Sequence, residues 1–271
     1  MEVTVKKRVF FVLLLFILMG GMVGCGLLQE PAAPSATIEA VPLEVEEAAE
    51  SVEVAEEPTA VAEEPPVEVD ATETEAEEPA AEEPAAEAAA PSGGLVIFEI
   101  SQDASEVRFE LDEDLRGNRI TVVGTTNQVA GQIALNFADL SSAQVGEIQI
   151  NARTLATDNN FRNRAIQNEI LQTGSYEFIS FVPTAVSGLP ESVNVGQFIQ
   201  FTIEGELTIR DVTESVTFEV TATAVTETAI QGTATATVLR DAYGLNIPEV
   251  PNVANVENEV DLIINFVANG S

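Results

Sequence analysis

Apolar and polar residues alternate through two long stretches in the C-terminal half of the chain. In the first stretch the apolar side chains occupy odd positions, namely Ile199, Phe201, Ile203, Leu207 and Ile209. In the second stretch they occupy even positions, namely Val216, Phe218, Val220, Ala222 and Ala224. Such alternation predicts two antiparallel strands, each with one buried face, joined by a connection over residues 210–214. Long one-sided strands predict closure over an apolar interior, either by a second sheet or as a barrel.

Shorter alternating stretches predict further strands around this hairpin. They cover residues 106–111, 129–135, 148–152, 176–186, 230–238 and 260–268, with a turn predicted over 124–127. Only residues 161–171 have the pattern of a helix. Asp158, Asn159 or Asn160 is suited to cap its start, and Gly174 is placed to end it. The fold class predicted from these patterns is all-β with one short helix.

The first 25 residues have the features of a secretory signal. Lys6, Lys7 and Arg8 precede an apolar run from Val9 to Met19, which is short for a membrane span. The residues before the single cysteine, Cys25, resemble a bacterial lipobox. This resemblance implies that Cys25 becomes the lipidated N-terminus of a protein anchored to the cell membrane on its periplasmic or cell-surface side. The alternatives are an uncleaved anchor or a buried thiol.

Residues 26–94 differ in composition from the rest of the chain. They contain 20 acidic residues and no basic one, and Ala-Glu-Glu-Pro begins at positions 55, 62, 76 and 81. Frequent proline interrupts helices, like charges repel, and little large apolar surface is available to offset the entropy lost on ordering. We therefore predict a disordered acidic linker, with binding of cations or cell-wall material as the alternative. Residues 95–271 remain as one folded domain.

Charge and composition exclude several functions. The net charge of −34 disfavours a nucleic acid partner, because phosphates would be repelled. The absence of histidine excludes a Ser-His-Asp triad and any imidazole metal site. A hydrolase that uses two carboxylates is conceivable, but no paired acids lie in an apolar setting. We therefore predict neither an enzyme nor a cofactor or metal.

The predicted interior combines small and large residues. The inward positions of 230–238 include Gly232, Ala234 and Ala236, while other strands carry Phe109 and Phe266. Small residues facing large ones are typical of ordinary core packing, but in a barrel they can also leave an apolar cavity. Both possibilities remain open at the level of sequence.

Five segments of the folded domain, in order, resemble the motifs of one known family. They are Ile100–Phe109, Arg162–Ile166, Tyr176–Phe181, Leu207–Val216 and Arg240–Gly244. The family is that of YceI-like polyisoprenoid-binding domains, and the resemblance extends over 95–271. It implies an extended, eight-stranded, antiparallel, lipocalin-like barrel with a helix near its mouth. It also implies an elongated apolar channel for a polyprenyl chain, such as a quinone tail or a prenyl phosphate.

The resemblance, together with the inward parity of the strands, selects candidate site residues. The channel wall is predicted to include Val107, Phe109, Leu111, Ile150, Phe161, Ile166, Phe181, Phe201, Ile203, Phe218, Ile264 and Phe266, and the polar rim Arg162, Asn163 and Arg240. Each wall residue is equally consistent with an ordinary core. Ala104, Glu113 and Ala165 stand where many family members have histidine, and Asn163 replaces an aspartate, which implies a different head group or none.

The predicted function is that of a membrane-anchored, extracytoplasmic protein that buries an isoprenoid lipid for carriage or storage. The alternative is a surface module with a filled barrel that binds a protein or a cell-wall polymer. The sequence leaves the oligomeric state open.

Overall fold

The computed structural model describes residues 29–35, 38–44 and 93–270. The predicted signal segment with Cys25, and most of the predicted linker, lie outside these residues. Within the described ranges no helix is long and apolar enough to cross a membrane.

One antiparallel sheet of thirteen strands forms the domain. The strands are β1 Val96–Ile100, β2 Glu106–Leu115, β3 Asn118–Thr126, β4 Val129–Ala130, β5 Gln132–Asn136, β6 Asp139–Val145, β7 Ile148–Asn151, β8 Phe178–Ser187, β9 Phe198–Ile209, β10 Val212–Thr226, β11 Ala229–Leu239, β12 Val253–Ala254 and β13 Glu259–Gly270. The predicted all-β class is confirmed.

The sheet curls into a barrel. The hydrogen-bonded path runs β4, β7, β8, β9, β10, β11, β13, β1, β5, and β5 is separated from β4 only by Gly131. β13 pairs with both β1 and β2, so these two act as one long strand with an interruption. Because β2 pairs with β3 and β1 pairs with β5, the strands β3, β4 and β5 act as a second long strand. Counted in this way the closed path has eight strands, as the family resemblance implies.

The structure corrects several predicted boundaries. Residues 124–127 are not a turn, because β3 continues through Gly124 to Thr126 and pairs with β2 throughout. The connection between β9 and β10 contains two residues, Arg210 and Asp211, rather than five, since Thr213 and Glu214 already pair with β9. Arg210 takes the left-handed backbone conformation, with φ of 60°, that this tight turn requires. The patterns did not identify β1, β3, β6 or β12.

The predicted helix forms as α1, Asn160–Ala165, followed by a π-helical turn, Ile166–Ile170. Asn159 caps α1, since its side-chain oxygen accepts from the backbone N–H of Phe161 at 2.9 Å and of Arg162 at 3.2 Å. The helix ends before Gly174. Gln172 adopts the positive φ of 50° that was expected of that glycine.

The barrel closes along a short seam. β4 and β7 are joined through only Val129 with Ile150 and Ala130 with Gln149, whereas β9 and β10 pair along almost their whole length. Within the closed path, this seam is therefore the contact between strands with the fewest residue pairs.

Part of the predicted linker lies against the barrel beside this seam. We call residues 29–35 and 38–43 the N-terminal strap. The side chain of Asn168 donates to the carbonyl of Gln29 at 2.8 Å, and that of Gln102 donates to the carbonyl of Ile38 at 2.8 Å. The backbone N–H of Leu43 donates to Gln132 in β5 at 2.9 Å. These residues of the predicted linker therefore contact the barrel.

Apolar contact and the partly buried carboxylate of Glu177 fix the strap. Ile38 is 4% exposed, and Leu43 contacts Gly146, just before β7. Ser35 donates its backbone N–H and its hydroxyl to the carboxylate of Glu177, each at 2.7 Å. Arg153 pairs with the same carboxylate at 2.8 Å.

The charge state of Glu177 follows from these contacts. Burial raises the pKa of Glu177, but the hydrogen bonds from Ser35, the charge of Arg153 and the amide of Asn151 outweigh it, so its pKa lies below its ordinary value. Glu177 is therefore an ionised carboxylate in the folded protein, and in this form it accepts the two hydrogen bonds from Ser35 of the strap.

Candidate ligand-binding cavity

A cavity of about 630 Å³ occupies the end of the barrel beneath α1. We call it the larger cavity. Its wall is made by apolar residues of β2, β8, β9 and β13, and by Ala165, Ile166 and Ile170 of α1 and the π-helical turn. Phe161 both lines the cavity and is 70% exposed, so the cavity reaches solvent beside α1. Its size and apolar lining are typical of small-molecule sites.

A second cavity, of about 110 Å³, lies further inside the barrel. We call it the smaller cavity. Its lining is apolar apart from Thr223, and includes Ile199, Phe201 and Phe266 together with the small residues Ala222 and Ala234. Phe181, Phe218 and Ile264 line both cavities. These three residues therefore form a waist between the two spaces.

Glycines in neighbouring strands hold two wall phenylalanines flat. Phe109 pairs with Gly124, and a methyl group at Gly124 would approach the Phe109 ring to 2.2 Å. Phe266 pairs with Gly232 and covers it in the same way, at 2.7 Å. An aromatic ring that covers a cross-strand glycine lies along the wall rather than across the lumen. Phe109 therefore borders the larger cavity and Phe266 the smaller one without either ring filling the space.

A buried ion pair lies where α1 meets the larger cavity. Arg162 donates to the carboxylate of Glu113 at 3.0 Å and to that of Asp158 at 2.6 Å. Glu113 is buried, whereas Asp158 is exposed. One guanidinium and two carboxylates leave this cluster with one net negative charge. The cluster fixes α1 to β2 and places an anionic group beside the cavity mouth.

The other polar residues of the lining are neutralised or uncharged. Arg240 donates to the carbonyl of Leu245 at 2.7 Å and lies 3.5 Å from the carboxylate of Asp241. Arg108 lies 3.1 Å from Glu110. Burial, with smaller effects from Glu214 and Glu206, raises the pKa of Tyr243 to about 12, so Tyr243 is a neutral phenol at physiological pH.

The structure brings most of the predicted site residues together. Those on the larger cavity are Val107, Phe109, Leu111, Ile150, Phe161, Ile166, Arg162 and Arg240, and those on the smaller cavity are Phe201, Ile203 and Phe266. Asn163 is an exception. It accepts from the backbone and the hydroxyl of Thr157, each at 2.7 Å, and so stabilises the turn before α1.

Sequence reasoning missed one part of the larger cavity. The segment 245–253 contributes Leu245, Ile247, Pro248, Val250, Pro251 and Val253 to the lining. Its prolines and lack of alternation gave no strand signal, although apolar residues interspersed with proline just after a predicted strand were a visible sign of a covering loop. In the part of the chain that the structure describes, no group of acidic or cysteine side chains is arranged to hold a metal ion.

Comparisons with known proteins agree with this architecture. The model of the YceI-like domain family matches residues 98–268. The chain belongs to the YceI-like domain family. A search of curated proteins finds no match.

Two solved structures resemble this YceI-like domain. One is a polyisoprenoid binding domain from Saccharophagus degradans implicated in plant cell wall breakdown, with 12% identity, a TM-score of 0.52, and coverage of 64% of this chain and 98% of that one. The other is BcnA of Burkholderia cenocepacia, with 18% identity, a TM-score of 0.50, and coverage of 63% and 99%. At these identities the likeness concerns the fold.

Proposed function

We propose that this protein is a lipid-anchored, extracytoplasmic carrier or store of an isoprenoid lipid, which it holds by burying the chain in the larger cavity. The observation that supports this most strongly is an open apolar space of about 630 Å³ inside a YceI-like barrel. The similar Saccharophagus degradans domain is described as polyisoprenoid binding. Each methylene removed from water contributes about 0.8 kcal/mol, so a partly enclosed chain binds usefully.

The charges around the larger cavity favour an uncharged head group. Each arginine that lines it has a carboxylate within reach, and the Arg162 cluster carries one net negative charge. A phosphate beside Glu113 would meet repulsion rather than an available cation. The ligand class is therefore a prenol or a prenylated quinone rather than a prenyl phosphate.

Anchoring through Cys25 completes the proposal. Lipidation of Cys25 would keep the barrel at the membrane that supplies its ligand. Only residues 26–28 separate Cys25 from Gln29 of the strap, which contacts Asn168, so the anchor would hold the barrel close to that membrane. Substitution Cys25→Ser should move the protein from the membrane fraction to the soluble extracytoplasmic fraction, and intact mass measurement of the wild type should show the added lipid. Membrane association that persists in this variant would contradict the anchor.

Two measurements test the binding function. The full chain is purified from membranes under mild conditions and extracted with organic solvent, and mass spectrometry should find an isoprenoid in the extract. Binding of a prenol, a prenylated quinone and the prenyl phosphate of equal length is then compared by calorimetry. The uncharged ligands should bind at least about tenfold more tightly, which corresponds to about 1.4 kcal/mol. No isoprenoid in the extract and no binding of any of the three would refute the function.

A further inference from the structure

The waist between the two cavities is a fixed part of the barrel. The rings of Phe181 and Phe218 meet edge to face, with their centroids 4.9 Å apart and their planes at 72°. Both side chains are buried. This arrangement is the favourable one for two aromatic rings, so it stabilises the waist in its closed state.

A glycine holds the first of these rings in place. Gly205 lies on the inward side of β9, diagonally across from Phe181 in β8. A methyl group at Gly205 would come within 2.6 Å of the Phe181 ring and 2.5 Å of the carbonyl oxygen of Val182. Phe181 is therefore confined between the backbone of β9 on one side and Phe218 on the other, and it has little freedom to swing away.

The lumen beyond the waist is small but not filled. Ala222, Ala224 and Ala234 line the smaller cavity, and it shares its boundary residues with the larger one. A linear apolar ligand that enters beside Phe161 would gain burial with each added methylene until its end reaches Phe181 and Phe218. Beyond that length, the additional methylenes would have to remain in solvent.

We propose that Phe181 and Phe218 set the maximum length of isoprenoid chain that the barrel encloses. This inference rests on the proposed function, and it adds the selection of ligands by length. The smaller cavity is the space that a longer chain would enter if the waist were opened.

The experiment measures affinity against chain length. Geraniol, farnesol, geranylgeraniol and longer linear prenols are titrated into the full-length wild type and into Phe218→Leu, which opens the waist. Phe181→Leu provides a second route if the first variant folds poorly. Phe109→Leu is the matched control, because it makes the same change at a residue that lines the larger cavity but is not part of the waist. Thermal unfolding of each variant verifies that it is folded.

For the wild type, affinity should rise with each isoprene unit and then level off. In a waist variant the rise should continue for at least one further unit. The first prenol beyond the wild-type limit should therefore bind that variant at least about tenfold more tightly than it binds the wild type. In Phe109→Leu the levelling length should be that of the wild type.

Two results would overturn the proposal. If the wild type levels off and both folded waist variants level off at the same length, the waist does not limit the chain, while lipid binding itself stands. An equal shift in Phe109→Leu would have the same meaning, because general widening would then explain it. If the wild type binds no prenol of any length, the proposed function and the length limit fail together.

Discussion

The two ends of the barrel interior are built from the same kinds of residue but differ in how fully they are packed. Around the smaller cavity the side chains interlock, and Phe98 is fully buried with its ring centroid 5.8 Å from that of Phe137. Around the larger cavity Phe109 lies flat on Gly124, and α1 spans the mouth without filling the space. An alternating strand therefore specifies an inward apolar face, but the partners across the lumen decide whether that face borders a core or a cavity.

The largest expected effect is a loss of stability on substitution at the end with the smaller cavity. Phe98→Ala should lower the free energy of unfolding by about 4 kcal/mol, because it removes a fully buried ring and leaves a void. Phe109→Ala should cost about 2 kcal/mol, since that ring already borders open space and is only half-buried. Chemical denaturation of both variants provides the comparison. Equal losses would show that the two ends are packed alike.

At the end with the larger cavity, stability should depend instead on the ion pair between Arg162 and Glu113. Arg162→Met leaves Glu113 buried without its partner and should lower the free energy of unfolding by about 3 kcal/mol. The double variant Arg162→Met with Glu113→Leu should recover most of that loss, because no charge is then left unpaired. Arg164→Met on the same helix serves as the control, since Arg164 has no ion pair among the described residues. A double variant no more stable than the single one would argue against the ion pair.

Two glycine substitutions should affect the two ends differently, one by lowering stability and the other by weakening ligand binding. Gly232→Ala would collide with the carbonyl oxygen of Thr221, at 2.3 Å, so it should cost about 2 kcal/mol of stability. For Gly124→Ala the three atoms nearest to the added methyl group all belong to the Phe109 ring, which has the larger cavity to move into.

The second variant should therefore lose less than about 1 kcal/mol of stability but bind prenols more weakly, because the displaced ring occupies ligand space. Denaturation and prenol titration of both proteins test this. If Gly124→Ala bound prenols as the wild type does, Phe109 would not border the ligand.

The smallest expected effect is on the contact between the N-terminal strap and the barrel. Ser35→Ala removes a hydrogen bond from the strap to Glu177 and should cost about 1 kcal/mol at neutral pH. Because the pKa of Glu177 is lowered in the folded protein, this contribution is present above its ordinary pKa of 4.5 and is lost as the pH falls through the folded value.

Denaturation of the wild type and Ser35→Ala across acidic pH measures the difference between them. In a Glu177→Gln background the effect of Ser35→Ala should be smaller and independent of pH in this range. A difference that stayed constant down to strongly acidic pH would exclude Glu177 as the partner that matters.

Much of the wall was accessible from the sequence. The parity of β9 and β10 follows from alternation alone, because a half-buried strand must place apolar side chains on one side. The cap at Asn159 follows from the orphan N–H groups of a helix start. Short or polar strands such as β6 show no alternation of apolar and polar residues. Without knowledge of strand pairing, the sequence of an edge strand cannot be distinguished from that of a solvated loop of similar composition.

The candidate site was predictable residue by residue, but not as a shape. Val107, Phe109 and Ile166 were identified as inward or mouth residues, and they do line the larger cavity. Asn163 was expected at the rim, whereas its side chain accepts from Thr157 in the turn before α1, because a polar residue on a short helix can face either way. The N-terminal strap was assigned to the linker because it is also rich in alanine, proline and glutamate, although Ile38 and Leu43 have no counterpart in residues 44–94.

What the sequence by itself determined is the chemistry of each face: which residues point inward, where the helix begins, and that the interior is apolar. Only the tertiary structure determined how much open space the interior of the barrel contains. Whether Phe109 lies flat depends on Gly124 in the next strand, and whether Phe181 meets Phe218 depends on the register of three strands. These are contacts between residues distant in the chain, and their geometry exists only after the barrel has closed.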